Sequence, residues 1–212
     1  MIVEILVSLL AVVALSSSPL QPPATAGAVP IFDGKSFAGW EGNLKIFRVE
    51  DNAIVGGSLE EKVARNEFLC TTTSYGDFEL RLKVKLVGGD AANAGIQFRT
   101  RRIPDNHEVA GYQADMGTGW WGALYDESRR NKVLTGPDQA KMKTVVKSGG
   151  WNDYVIRAKG KRIQLWVNGV QTVDYTEEDP KIESSGVICP QIHAGPPSEA
   201  WYKDITIQRL GG

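Results

Sequence analysis

His107 and His193 are the only histidines in 212 residues, and imidazole is the side chain that ordinarily trades protons near neutral pH. His107 sits in DNHEVAGYQAD and His193 ends ICPQIH. Either suits a general base or a metal ligand, although a lone histidine is more often structural. Each lies beside polar residues spaced two apart: Gln113 and Asp115 after His107, and Gln191 before His193. A third such pair, Gln97 and Arg99, lies in NAGIQFR. In an extended strand both members of such a pair share one face. In one sheet the three pairs would make a polar patch of amides, a carboxylate, a guanidinium and an imidazole. Planar donors and acceptors of this kind suit sugar hydroxyls, and Trp120, Trp121 and Tyr125 offer plates for the C–H face of a sugar ring. Alternating polarity is also the ordinary mark of a solvated strand face. What distinguishes this chain is three polar pairs beside the aromatic-rich stretch GYQADMGTGWWGALYDE (111–127).

Other chemistries lack their signatures. The chain has no GxSxG, no Walker loop, no GxGxxG opening a helix, no HExxH and no EF-hand loop. A divalent metal is left without an assigned ligand set. The ExDxxE cluster of some jelly-roll glycanases is absent too, which removes the simplest case for two-carboxylate glycoside hydrolysis. Asp126 and Glu127 would face opposite ways in a strand and form a solvated acidic pair in a turn. The run YDESRRNK (125–132) reads as a salt-bridged loop, or as a rim for an anionic oxygen.

The elements that would position these residues are strands. Phe78 to Leu86 alternates apolar and charged residues strictly, as a half-buried antiparallel strand does. Ala94–Arg99, Gly111–Asp115, Asp153–Ala158, Arg162–Val167, Val170–Tyr175, Gly186–His193 and Asp204–Arg209 read as further strands. Asn168-Gly169 is a strong hairpin turn. Helical periodicity is nearly absent, and Asp138–Lys147 is the one short helix candidate. Many short strands with Gly-rich turns predict an all-β sandwich or jelly roll, with a closed barrel as the alternative.

Lys and Arg number 24 against 25 Asp and Glu, so no basic footprint points to nucleic acid or to a membrane surface. Residues 1–26 read as an export leader. Ile5–Leu15 is apolar except for Ser8, and Ala24-Thr25-Ala26 fits a cleavage site. Glu4 stands where a basic residue is usual, and the alternative is a misplaced start or a disordered apolar leader. The expected organisation is a leader over 1–26 and one domain over 27–212, acting in the periplasm or outside the cell. No other segment is long and apolar enough to span a bilayer, and nothing in the pattern sets an oligomeric state. Cys70 and Cys189 are either an exported disulfide or two buried thiols.

Seven stretches fall in an order that resembles a known family: IFDGKSFAGW (31–40), YGDFELRLKVKL (75–86), NAGIQFR (93–99), GYQAD (111–115), GALYDE (122–127), WNDYVIRAKGKRIQLWVNG (151–169) and PQIHAGPPSEAWYKDITIQRL (190–210). The chain is similar over its whole length after the leader to the 3-keto-disaccharide hydrolase domain family, also described as 3-keto-glucoside-1,2-lyases and 3-keto-2-hydroxy-glucal hydratases. The resemblance implies a concanavalin A-like jelly-roll β-sandwich of two antiparallel sheets, with a sugar site on the concave sheet. It implies an enzyme acting on a 3-keto-glycoside, with a non-catalytic carbohydrate-binding module as the alternative on the same scaffold. A ketone at C3 acidifies the C2 proton. A base removes that proton, the enolate expels the C1 substituent, and water adds across the double bond. On this reading His193 and His107 are candidates for base or ligand, and Asp115 for acid, base or ligand. Arg99 or a divalent metal steadies the enolate. Gln97, Gln113, Gln191 and Glu127 bind hydroxyls, and Trp121 and Tyr125 stack on the sugar.

Overall fold

The computed structural model describes residues 27–211, so the leader expected over 1–26 lies outside the described residues. The first strands are short: β1 (Val29–Pro30), β2 (Trp40–Glu41), β3 (Phe47–Glu50), β4 (Ala53–Ser58), β5 (Glu67–Phe68) and β6 (Cys70–Thr71). Longer ones follow: β7 (Phe78–Gly88), β8 (Asn93–Arg102) and β9 (Val109–Gly117), then β10 (Leu124–Glu127) and β11 (Lys132–Thr135). After helix α1 (Gln139–Val145) come β12 (Asn152–Lys159), β13 (Arg162–Val167), β14 (Val170–Thr176), β15 (Val187–Ile192) and β16 (Ser198–Arg209).

These strands form two large sheets. The front sheet runs β11-β10-β9-β8-β15-β5; the back sheet runs β14-β13-β12-β7-β16-β4-β3, with β1 on β16. Every ladder among the described strands is antiparallel. Both sheets are open paths, so the fold is the jelly-roll sandwich and not the closed barrel. Alternation explains the packing. Phe78, Leu80, Leu82 and Val84 of β7 point into the core, as do Ala94, Ile96 and Phe98 of β8 and Tyr112, Ala114 and Met116 of β9. Phe98 stacks on Tyr112 at 5.6 Å and meets Phe78 edge-on at 6.3 Å, the arrangements aromatic quadrupoles favour.

The predicted punctuation holds at two places. Asn168 and Gly169 both take positive φ and join β13 to β14, as a primed hairpin turn requires. Asp138 caps α1, accepting the Ala140 N–H at 2.9 Å. Cys70 and Cys189 are joined in a disulfide that ties β6 to β15. It packs with Phe68 and Val109 in a small apolar cluster on the outer face of the front sheet. That cluster covers one part of the outer face; the polar site occupies another.

Candidate active site

Four neighbouring strands of the front sheet, β10, β9, β8 and β15, send side chains outward together. Register places Gly95 beside Asp115 on one side and Gln191 on the other, and Gln97 beside Gln113. Tyr125 lies opposite Gln113, and Glu127 opposite Gly111. Toward one end of these strands Asn66, Asn93, Gln113, Asp115, Trp120, Tyr125, Glu127 and His193 line a cleft of ≈ 130 Å³. The three strands with polar pairs are therefore neighbours, and Gln113, Asp115 and His193 meet at one place.

A chain of buried hydrogen bonds leads to Asp115. Thr100 Oγ1 donates to Gln97 Oε1 at 2.8 Å, and Gln97 Nε2 donates to Gln113 Oε1 at 2.7 Å. Gln113 Nε2 then donates to Asp115 Oδ1 at 2.6 Å. The chain fits because Gly95 leaves room for it: a Cβ there would lie 2.6 Å from Gln113 Cγ. Asp115 Oδ2 is buried without a partner. Burial pushes the Asp115 carboxyl up to about 8; the Gln113 bond opposes the rise and the charge of Glu127 adds to it. Asp115 is thus a neutral acid at pH 7, with its Oδ2–H free to donate. Burial, and next the charge of Glu108, push Glu127 up to about 7.

His193 carries its own orientation. Its Nδ1 lies 2.7 Å from the Ala194 carbonyl oxygen. A carbonyl only accepts, so Nδ1 holds the proton and Nε2 keeps the basic lone pair in the neutral ring. The backbone N–H of His193 donates to Asn93 O at 3.1 Å, holding the ring beside β8. Trp120 is 41% exposed and meets Tyr125 edge-on at 6.4 Å, which leaves an aromatic wall for a sugar ring.

Several expected residues stand elsewhere. Arg99 leaves the outer face because a bulge shifts the β8–β9 register between Phe98 and Arg101, and Arg99 takes a φ of 45°. Its guanidinium is buried against Asp77 Oδ1 at 2.9 Å, Gly76 O and Gly160 O. It cannot steady an enolate in the cleft. His107 does not line the cleft; its Nδ1 faces Glu108 Oε1 at 3.5 Å. Trp121 turns away from Trp120 and lines a separate cavity, so Trp120 takes the place expected of Trp121. Gln97 and Gln191 are fully buried and support the floor, without reaching the wall. Both amide atoms of Gln191 lack a partner.

Tyr125 and Glu127 lie in the cleft as expected, on a strand where a loop was read. Asp126 points the other way and pairs with Arg129 and Arg130. Arg130 also pairs with Glu177 at 2.7 Å, so YDESRRNK is the salt-bridged segment and not an anion rim. Asn93 and Asn66 complete the cleft. Asn93 was legible, since it shares the period of Gly95 and Gln97; Asn66, outside the named strands, carries no periodic signal. Among the described residues no group of three or more His, Cys, Asp or Glu is arranged to hold a metal ion.

The fold and this polar, aromatic-walled cleft define a carbohydrate-active jelly-roll domain. A proposed glycosyl hydrolase from Parabacteroides distasonis shares 19% identity with it at a TM-score of 0.65, covering 87% of this chain and 94% of that one. A carbohydrate-binding module from Bacillus subtilis shares 14% identity at 0.60, covering 80% and 95%. A non-specific endo-β-1,3(4)-glucanase shares 11% at 0.58, covering 91% and 96%. Among curated proteins none matches. Residues 27–208 match the family model of the 3-keto-α-glucoside-1,2-lyase-like domain, and the chain belongs to that family.

Proposed function

We propose that this domain cleaves 3-keto-glycosides by elimination and hydration, and that it does so after export. The observation that carries the reading is the meeting of a free imidazole Nε2 with a neutral, buried Asp115 whose Oδ2 has no partner. Elimination next to a ketone needs this combination: a base for a carbon acid and a proton for the leaving oxygen. His193 Nε2 takes the C2 proton, and the Asn93 amide donates to the C3 oxygen as the enolate forms. The C1–O bond breaks, C1=C2 forms, and the leaving oxygen takes the Asp115 proton. Water then adds to C1, returning a proton to Asp115, while His193 returns one to C2. Trp120 and Tyr125 hold the ring against this edge of the sheet. The Cys70–Cys189 disulfide supports the export reading, because such bonds persist in oxidising compartments.

The test is turnover of 3-keto-trehalose in D₂O, with unoxidised trehalose beside it. The expected result is cleavage of the keto sugar alone, deuterium at C2 of the product, and loss of cleavage in His193→Ala. Cleavage of both sugars without deuterium would replace this reading with direct hydrolysis. Binding of the keto sugar without cleavage would make the domain a carbohydrate-binding module.

A further inference from the structure

The residues of the cleft follow one another along the strands at intervals of two. His193 donates its backbone N–H to Asn93 O, and Asn93 lies opposite Gly117. Asp115 is two residues back along β9. Gln113 is two beyond it, with Tyr125 opposite, and Gly111 two beyond that, with Glu127 opposite. Each interval is about 6.5 Å of strand. The order is therefore His193 with Asn93, then Asp115, then Tyr125, then Glu127. In the elimination reading the first three take C2, C3 and the oxygen on C1 of one ring. Whatever that oxygen is bonded to continues along the same cleft, past Tyr125 and toward Glu127.

The charge at that end is one-sided. No lysine or arginine lines the cleft. Arg99 is held by Asp77, and Arg129 and Arg130 by Asp126, which points away from it. Burial first, and then the charges of Glu108 and Asp126, push the Glu127 carboxyl up to about 7 against a backbone bond from Ser128. Asp115 Oδ2 is buried in the same cleft without a partner. The aromatic wall turns a corner here: the rings of Trp120 and Tyr125 stand at 81° to one another, 6.4 Å apart. Two ring faces at an angle beside a carboxyl are surroundings that receive an ammonium. The faces attract it through their quadrupoles, and the carboxylate through charge and hydrogen bonds. A positive group is also the counter-charge that Glu127 lacks.

We propose that the group bonded to the C1 oxygen of the substrate carries an ammonium, seated against Tyr125 and the Glu127 carboxylate. The proposal rests on the elimination reading. Two independent readouts test it. The first is calorimetric binding of two unoxidised sugars, 2-aminoethyl and 2-hydroxyethyl α-glucoside, which differ only in the terminal group. The amine should bind tighter by on the order of 10-fold, and Glu127→Gln and Tyr125→Leu should each shrink the difference. The second is the kcat/KM ratio of the corresponding 3-keto-glucosides. It should favour the amine in the parent and fall by on the order of 10-fold in Glu127→Gln. The intrinsic difference between the two leaving alcohols is the same in parent and variant and cancels.

Equal affinities in the parent, or a preference for the amine that survives both substitutions, overturns the proposal. Cleavage of both keto-glucosides with a ratio unmoved by Glu127→Gln also overturns it, and leaves the elimination reading standing. An amine preference in binding with no cleavage of either keto-glucoside ends the elimination reading, and the leaving-group assignment with it.

Discussion

Asp115 is a carboxyl whose surroundings keep its proton. In the unfolded chain it has the ordinary value of 3.8, and in the fold it is raised to about 8. Between these values the unfolded chain has lost the proton and the folded chain still holds it. Fewer protons on the unfolded state mean that stability falls as pH rises across this window and levels off above about 8. Asp115→Asn keeps the acceptor for Gln113 and removes the titration. The variant should match the parent in urea unfolding near pH 4 and exceed it at pH 8, while turnover drops by about 10²–10⁴-fold through loss of the acid. In the parent, turnover should decline as pH passes about 8, where the acid form disappears. A parent more stable than the variant at pH 8 would show that Asp115 is ionised in the fold. Stability given up at one buried acid in return for chemistry is a common pattern at active sites.

At the scale of the element, β8, β9 and β15 decide which side chains meet. Period-two reading assigned Gln97, Gln113, Asp115, Gln191 and His193 to one side correctly, because those segments are regular ladders. It failed at Arg99, where one bulge re-aims the chain, and bulges leave no reliable mark on a single sequence. It failed again at Trp121. In the tight turn from Gly117 to Gly122 neighbouring residues diverge, and nothing in GTGWWG tells which indole faces the cleft. Gly95 is the element-scale feature with the sharpest consequence. In Gly95→Ala the new Cβ needs the space that Gln113 occupies, at a cost of about 1–3 kcal/mol for overpacking. Displacing Gln113 removes the one influence that lowers the Asp115 value. The alkaline limit of turnover should therefore move to higher pH, measured as kcat/KM from pH 6 to 10 on the folded variant. An unmoved limit would mean that the amide chain does not tune the acid.

Across the whole molecule, fold class was legible because nearly every long strand alternates and turns are marked by Gly and Asn. The short strands between residues 29 and 71 were not, since two- to six-residue pieces such as β2 and β6 lack a period to detect. That region nonetheless fixes the site: β5 pairs with β15 through Phe68 and Gln191, and Asn66 takes the Ala194 N–H on its Oδ1 at 3.0 Å. The disulfide clamps the same junction, closing 119 residues of chain between β6 and β15. In a chain-entropy account a loop of this length contributes about 5 kcal/mol, or on the order of 10–20 °C in midpoint for a domain this large. The double variant Cys70→Ala, Cys189→Ala should melt lower by that order, and the parent should do the same under reductant, followed by circular dichroism. Equal midpoints would mean that the ladders alone hold β15, and with it His193, in place. A large difference would make an oxidising compartment part of what keeps the base beside the acid, which joins the disulfide to the proposed export of the domain.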